Sequence, residues 1–405
     1  MESKSLGRPF WTFWGAASLA NVGDGIRLAA FPLLAASLTD SPLGVAAVTA
    51  SQALPWLVTG LLAGSLADRR GAKALIVWAD LGRVLVLATL VVAVATGWAS
   101  LPLVLATGFL LGVGETLRDT AAQTAIPGLV AKPLLERANG RLVAGEIVGN
   151  EFVGPPVGAA LFVAGAALPF AVNGASLALA VMLVLSLPLS LVARTAGTTA
   201  PVVKDGVRAG LRWLVRHRML RTLTAVCAAV AAADSAWFAI LVLYARENLQ
   251  AGAVGYGVLL ATGAFGGLLG AFVAERLVGG RRHRVVLTWS LLVTAGVPAL
   301  LLFVSDLWAA VLVVVVTSGS FAVLNVTAVS LRQRSVPGEL LGRVTAAGRT
   351  LSFSAAAVGA LLGGGLASVA GVEAPFLFSG VVAVLATVAW YVVSRPTGRP
   401  GVAGT

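Results

Sequence analysis

Apolar runs of 18 or more residues recur from end to end of this chain. Crossing about 30 Å of hydrocarbon takes roughly 20 residues of helix. Only helices and closed barrels satisfy their own backbone hydrogen bonds there. Barrel strands would be about ten residues long and alternate in polarity, and no such alternation is present. Charged residues make up 11% of the chain, against about 25% in a soluble protein. The expected fold class is an all-α membrane protein.

Turn residues and charge clusters divide the chain into twelve expected helices: 10–36, 44–66, 73–96, 101–122, 140–164, 168–192, 220–244, 254–277, 284–304, 307–328, 344–368 and 373–393. Their connections alternate. The loops near Asp40, Gly97, Gly165, Ser305 and Val372 hold no Lys or Arg, and the one after Tyr244 holds Arg246 alone. The others carry Arg69, Arg70 and Lys73; Lys132, Arg137 and Arg141; Arg194 to Arg221; Arg276 to Arg284; and Arg332 to Arg349. By the positive-inside rule the basic loops and both termini are expected in the cytoplasm, in an inner membrane. The formal charge of +12 is then a topology signal, and no aromatic-basic module suggests nucleic acid. The longest connection carries Arg208, Arg212 and Arg216 on one helical face, opposite Val207, Leu211, Leu214 and Val215. Such a helix suits an anionic leaflet. The expected division is a six-helix half at 1–192, a linker at 193–219 and a second half at 220–405.

Cys227 is the lone cysteine, and His217 and His283 lie in basic loops without ligand-like spacing. No GxxxxGK[ST] phosphate loop occurs. Neither an enzyme, a cofactor nor a metal is expected. A small-molecule substrate, protons and membrane lipids are the expected partners of a monomer.

The two halves repeat. DGIRLAAFPLLA from Asp24 aligns with DSAWFAILVLYA from Asp234, GSLADR from Gly64 with AFVAER from Ala271, and GPPVGA from Gly154 with GALLGG from Gly359. The near-constant offsets are those of a duplicated unit, which transporters use to build a central site with alternating access.

GSLADRRGAK, Gly64 to Lys73, resembles the loop signature of the major facilitator superfamily between helices two and three; Ala72 departs from it. GPPVGA resembles the helix-five antiporter signature of drug-exporting members, with Asn150 and Ala159 in place of its outer glycines. GETLRDTAAQTAIPGLV, RANGRL and EFVGPPVG are similar to stretches of bacterial macrolide and siderophore exporters. The resemblance implies a major facilitator fold in two pseudo-symmetric halves and proton-coupled export. It also implies a cytoplasmic gate built from Gly64, Asp68, Arg69, Gly71 and Lys73, with Asp119, Arg343 and Arg349 as further members. Gly154, Pro155 and Gly158 would bend helix five, in a structural or a coupling role. An importer or lipid flippase on the same scaffold, and a sensor that binds without transporting, remain open.

One stretch is anomalous. NVGDGIRL places Asp24 and Arg27 within an apolar run, where a charge costs about 2.5–3.5 kcal/mol. At i and i+3 the two can pair, which would make a neutralised patch. Asp234 recurs at the matching depth with Trp237 in place of the arginine. Both acids are therefore expected to face a cavity between the halves, with Asp24 as proton or cation site and Arg27 tuning it, Glu151 and Asp234 as the next candidates, and Glu146 and Asn150 adding polarity. Asp80 with Arg83 and Glu115 with Arg118 are expected nearer the cytoplasmic ends, in gating or packing.

Overall fold

A computed structural model describes residues 5–188, 212–278, 283–336 and 338–394. The helices are α1 (Gly7–Leu38), α2 (Pro42–Arg70), α3 (Ala72–Ala95) and α4 (Leu101–Leu129). α5 comprises Leu135–Glu146, a π-helical segment Ile147–Val153, and Gly154–Ala164, and α6 is Leu168–Leu185. α7 is Arg218–Phe238 continued by Leu241–Glu247, α8 is Gly252–Val278, and α9 is His283–Gly296 running into a 3-10 segment Val297–Phe303. α10 (Leu307–Ser335), α11 (Gly338–Ala370) and α12 (Ala374–Ser394) complete the order. Eleven of these segments are long and apolar enough to cross a membrane by length and composition, and α2, with 29 residues, makes the twelfth.

Each expected span falls on one of these segments, with one shortfall. α6 stops at Leu185 rather than 192, three residues ahead of Pro188, whose ring disfavours helical geometry in the residue before it. Of the expected linker, 193–211 lies outside the described residues, and 212–216 is helical.

The packing is two-fold pseudo-symmetric. α1 packs on α5 and α6, α3 on α4 and α6, and α2 on α4; α7 packs likewise on α11 and α12, α9 on α10 and α12, and α8 on α10. The two sets meet through α2 with α11 and α5 with α8, themselves a symmetric couple. The repeat extends to single contacts. A Cβ on Gly158 would strike the backbone of Ile26, and a Cβ on Gly363 the backbone of Ala236. These are corresponding residues under the sequence alignment. Small residues bring the helix axes together in lipid, where packing and not water drives association.

Candidate functional site

The charges of the anomalous stretch do not face the second half. Asp24 is buried and accepts a short contact from Arg83 Nη2 on α3, and its Oδ1 lies 3.6 Å from Arg27 Nε. Arg27 in turn donates to Glu115 Oε2 on α4 and to Gln52 Oε1 on α2, each at 2.6 Å. Asp80 is 3.4 Å from Arg83 Nη1 and accepts from Arg118 Nε at 3.1 Å, while Arg118 Nη1 is 3.5 Å from Asp119. The three i,i+3 pairs on α1, α3 and α4 thus form one network inside the first six helices. Asp80–Arg83 and Glu115–Arg118, expected in gating or packing, take part in this interhelical packing. The expectation that Asp24 and Arg27 face the inter-half cavity is corrected, for neither lines it. Exchange of partners across helices offsets the desolvation of these groups better than one intrahelical pair would.

The cavity lies between the halves, about 530 Å³ in volume, and its walls come from α1, α5, α7, α8 and α10. Two carboxylates line it, Glu151 from α5 and Asp234 from α7, with Trp237, Phe238 and Phe321 among aliphatic side chains. Among the described residues no Lys, Arg or His lines it. Asp234 forms no ion pair among the described residues, and Trp237 one turn later is the polar group beside it. α10 adds Ser318 and Asn325, seven residues apart and so on one face. Sequence reasoning missed both, although two polar residues at that spacing in an apolar helix were a readable signal.

The local sequence of α5 explains how Glu151 is presented. Pro155 and Pro156 lack N–H groups, and a proline ring collides with the carbonyl four residues back. The preceding turn opens into π geometry, closed by Gly154 N–H bonding to Gly149 O. Wide turns of this kind occur often at functional sites. Ile147, Glu151 and Pro155 all face the cavity. Glu146 lies close enough to Glu151 to repel it. Asn150 instead presses its backbone on Gly25 and does not line the cavity. Gly154 and Gly158 face α1.

The face carrying the short, Lys-poor and Arg-poor loops is closed over this cavity. Arg246, at the end of α7, donates to Ala36 O at the end of α1 (3.0 Å) and lies 3.5 Å from Asp40. Asn248 Nδ2 donates to Glu373 Oε1 (3.1 Å), and Leu43 N–H to Ser368 Oγ (3.2 Å). Below them Tyr244 Oη is 2.9 Å from Leu301 O and 2.7 Å from Val304 O, donating to one at a time. Deeper still, Trp56 of α2 stacks on Phe353 of α11 at 5.1 Å. Arg246 was visible in the sequence as the lone basic residue of these loops, yet it was not singled out.

On the opposite face, Gly71 adopts φ +79° between α2 and α3, a left-handed turn that favours glycine. Lys73 Nζ donates to Leu185 O at 2.9 Å and Leu187 O at 2.5 Å. It therefore caps the end of α6 from within its own half, as a cation suits a helix C-terminus. Gly64, Asp68 and Arg69 lie on α2, and Arg343 and Arg349 on α11; their side chains lie outside the described ones.

Twelve helices in two pseudo-symmetric sets around a central cavity are the major facilitator architecture, a class of multi-pass membrane transporter for small molecules. The chain belongs to the family described as transmembrane secretion effector, whose pattern matches residues 7–400, and it is a transporter rather than an enzyme. It is 26% identical over 390 residues to the multidrug efflux pump Tap of Mycobacterium tuberculosis, with 93% of this chain and 91% of Tap covered. The fold is similar to that of a mutant form of the nucleoside transporter NupG, with TM-score 0.78, 12% identity, and 96% of this chain and 100% of that one covered. It is likewise similar to a bacterial homologue of the human lysosomal transporter Spinster, in an inward-facing and occupied conformation. There the TM-score is 0.76 and the identity 14%, over 95% and 96% of the two chains.

Proposed function

We propose that this chain is a proton-coupled exporter of a small amphipathic cation, acting as a monomer in the inner membrane with both termini in the cytoplasm. The observation that carries this reading is the cavity: two carboxylates, one from each half, in largely apolar walls with no cationic side chain among the described residues. Apolar walls favour a hydrophobic body, and an uncompensated carboxylate in a low dielectric attracts a cation strongly. Glu151 and Asp234 move with different halves, so a bound cation would feel both only while the halves are close. Similarity to a protein named as a multidrug efflux pump supports the outward direction. The conformation, closed at the short-loop face, is then open toward the cytoplasm. The remaining gate residues, Asp68, Arg69, Arg343 and Arg349, would close that side in the alternate state.

The test uses everted vesicles holding an acid interior, challenged with tetraphenylphosphonium and ethidium. Each cation should dissipate the pH gradient. Glu151→Gln and Asp234→Asn should each weaken the response by about tenfold, the loss of one charge-assisted contact. An equal response to neutral amphiphiles would remove the cation from the reading. Accumulation of the probes in intact cells would reverse the direction.

A further inference from the structure

We infer that the coupling proton binds within the first six helices, on the Asp119 carboxylate at the edge of the ion network, and not on the two acids of the cavity. The inference rests on the proton-coupled reading and locates its coupling site. Four carboxylates (Asp24, Asp80, Glu115, Asp119) share three guanidiniums (Arg27, Arg83, Arg118). With every group ionised these seven described side chains carry one surplus negative charge.

Geometry identifies the carboxylate that carries the surplus. Asp24 is contacted by two arginines, Asp80 by two, and Glu115 by Arg27 at 2.6 Å. Among the described residues Asp119 has Arg118 Nη1 at 3.5 Å, from a guanidinium whose Nε is already committed to Asp80 at 3.1 Å. Among the described residues the groups facing it are Arg118 and Glu115 on its own helix, Asp24 on α1 and Arg83 on α3; the described part of α2 contributes the neutral Gln52 to the network. Asp119 is also one-third exposed, whereas Asp80 is fully buried and Asp24 nearly so. A proton can reach Asp119 without crossing the network. It adds to the carboxylate from water, and three carboxylates then balance three guanidiniums.

The network is built to transmit that change. Ionised Asp119 competes with Asp80 for Arg118, and protonated Asp119 releases Arg118 to Asp80. Asp80 shares Arg83 with Asp24 of α1, and Arg27 ties α1 to Gln52 of α2. Arg27 Nε and Arg83 Nε are buried without a hydrogen-bond partner, so both arginines hold spare donors for a second arrangement. Leu28, next to Arg27, lines the cavity, and α2 meets α11 of the other half. The proton and the substrate then communicate through α1 and α2 and do not compete for one carboxylate.

The test needs no substrate. In a Cys227→Ser background, spin labels at Ser41→Cys and Val254→Cys report the separation of the halves at the short-loop face. In wild-type protein and in Glu151→Gln and Asp234→Asn, the distance distribution should shift with pH. Asp119→Asn should remain in the low-pH distribution at every pH. Titration of Asp119→Asn as in wild type, or its loss in the cavity variants, would overturn the inference, as would a wild type that does not respond. If Asp119→Asn does not insert, Asp119→Glu carries the test. Its midpoint should move by about 0.4 pH unit, the difference between the two ordinary carboxyls, and an unmoved midpoint overturns the assignment. Because the readout is conformational, failure of the exporter reading would appear separately, as absent flux in vesicles.

Discussion

Asp24 of α1 and Asp234 of α7 occupy corresponding places in the two halves, yet two arginines contact the first and none the second. The helix pairing around them is the same, and a glycine-to-backbone crossing recurs at Gly158 and Gly363. What differs is the charge placed on a common frame. The first half ties α1, α3 and α4 together through seven ionisable side chains, and α2 joins them through Gln52. In the second half the buried polar groups include Thr327 and Ser379, which bond to the backbone carbonyls of Val323 and Ala295. A duplicated scaffold can thus hold a charge fixed on one side and offer its counterpart to a ligand on the other.

The largest effect should come from breaking the network. Arg83→Ala removes the guanidinium that Asp24 and Asp80 share, leaves each with a single arginine, and should lower stability by about 3–5 kcal/mol, read by thermal unfolding of purified protein. Asp234→Ala, which separates no ion pair, should change it by about 0.5 kcal/mol or less. Equal losses would erase the contrast between the halves. Gly158→Val and Gly363→Val sharpen the opposite point. Each drives a side chain into a facing backbone and should cost about 1–3 kcal/mol, by a similar amount in both halves. A loss at one position alone would mean that the repeat is topological and not energetic. The smallest effect belongs to Arg246→Ala, which removes a partly exposed contact worth about 0.2–1 kcal/mol. Labelling of Ser41→Cys in a Cys227→Ser background should quicken by about fivefold at most. No change would leave the closure of this face to apolar packing.

The helices were legible because each had to be apolar over a membrane's thickness, a signal carried by composition and needing no partner. The end of α6 was missed because Pro188 acts on geometry while the run itself stays apolar. The repeat could be read from short matched stretches, and the structure expresses it in contacts. The ion network could not be read. Spacing pairs Asp24 with Arg27, but its shorter contact is to Arg83, 59 positions away, and no periodicity says which face of α3 meets α1. Glu151 and Asp234 were among the candidates for a cavity, and both line one. Arg27 was expected beside them, but it points to α2 and α4.

The wide turn of α5 has a consequence for the duplicated plan. From Ile26 to Gly158 the chain advances 132 positions, and from Ala236 to Gly363 it advances 127. The first half is therefore longer between equivalent contacts, and the π segment stores part of that excess in a helix whose counterpart α11 is α-helical throughout. A helix one residue shorter at that point would carry Glu151 roughly 100° around its axis, away from the cavity. The aim of that acid therefore depends on the width of one turn, so chain length as well as residue type decides which carboxylate one half of a symmetric protein turns toward its centre.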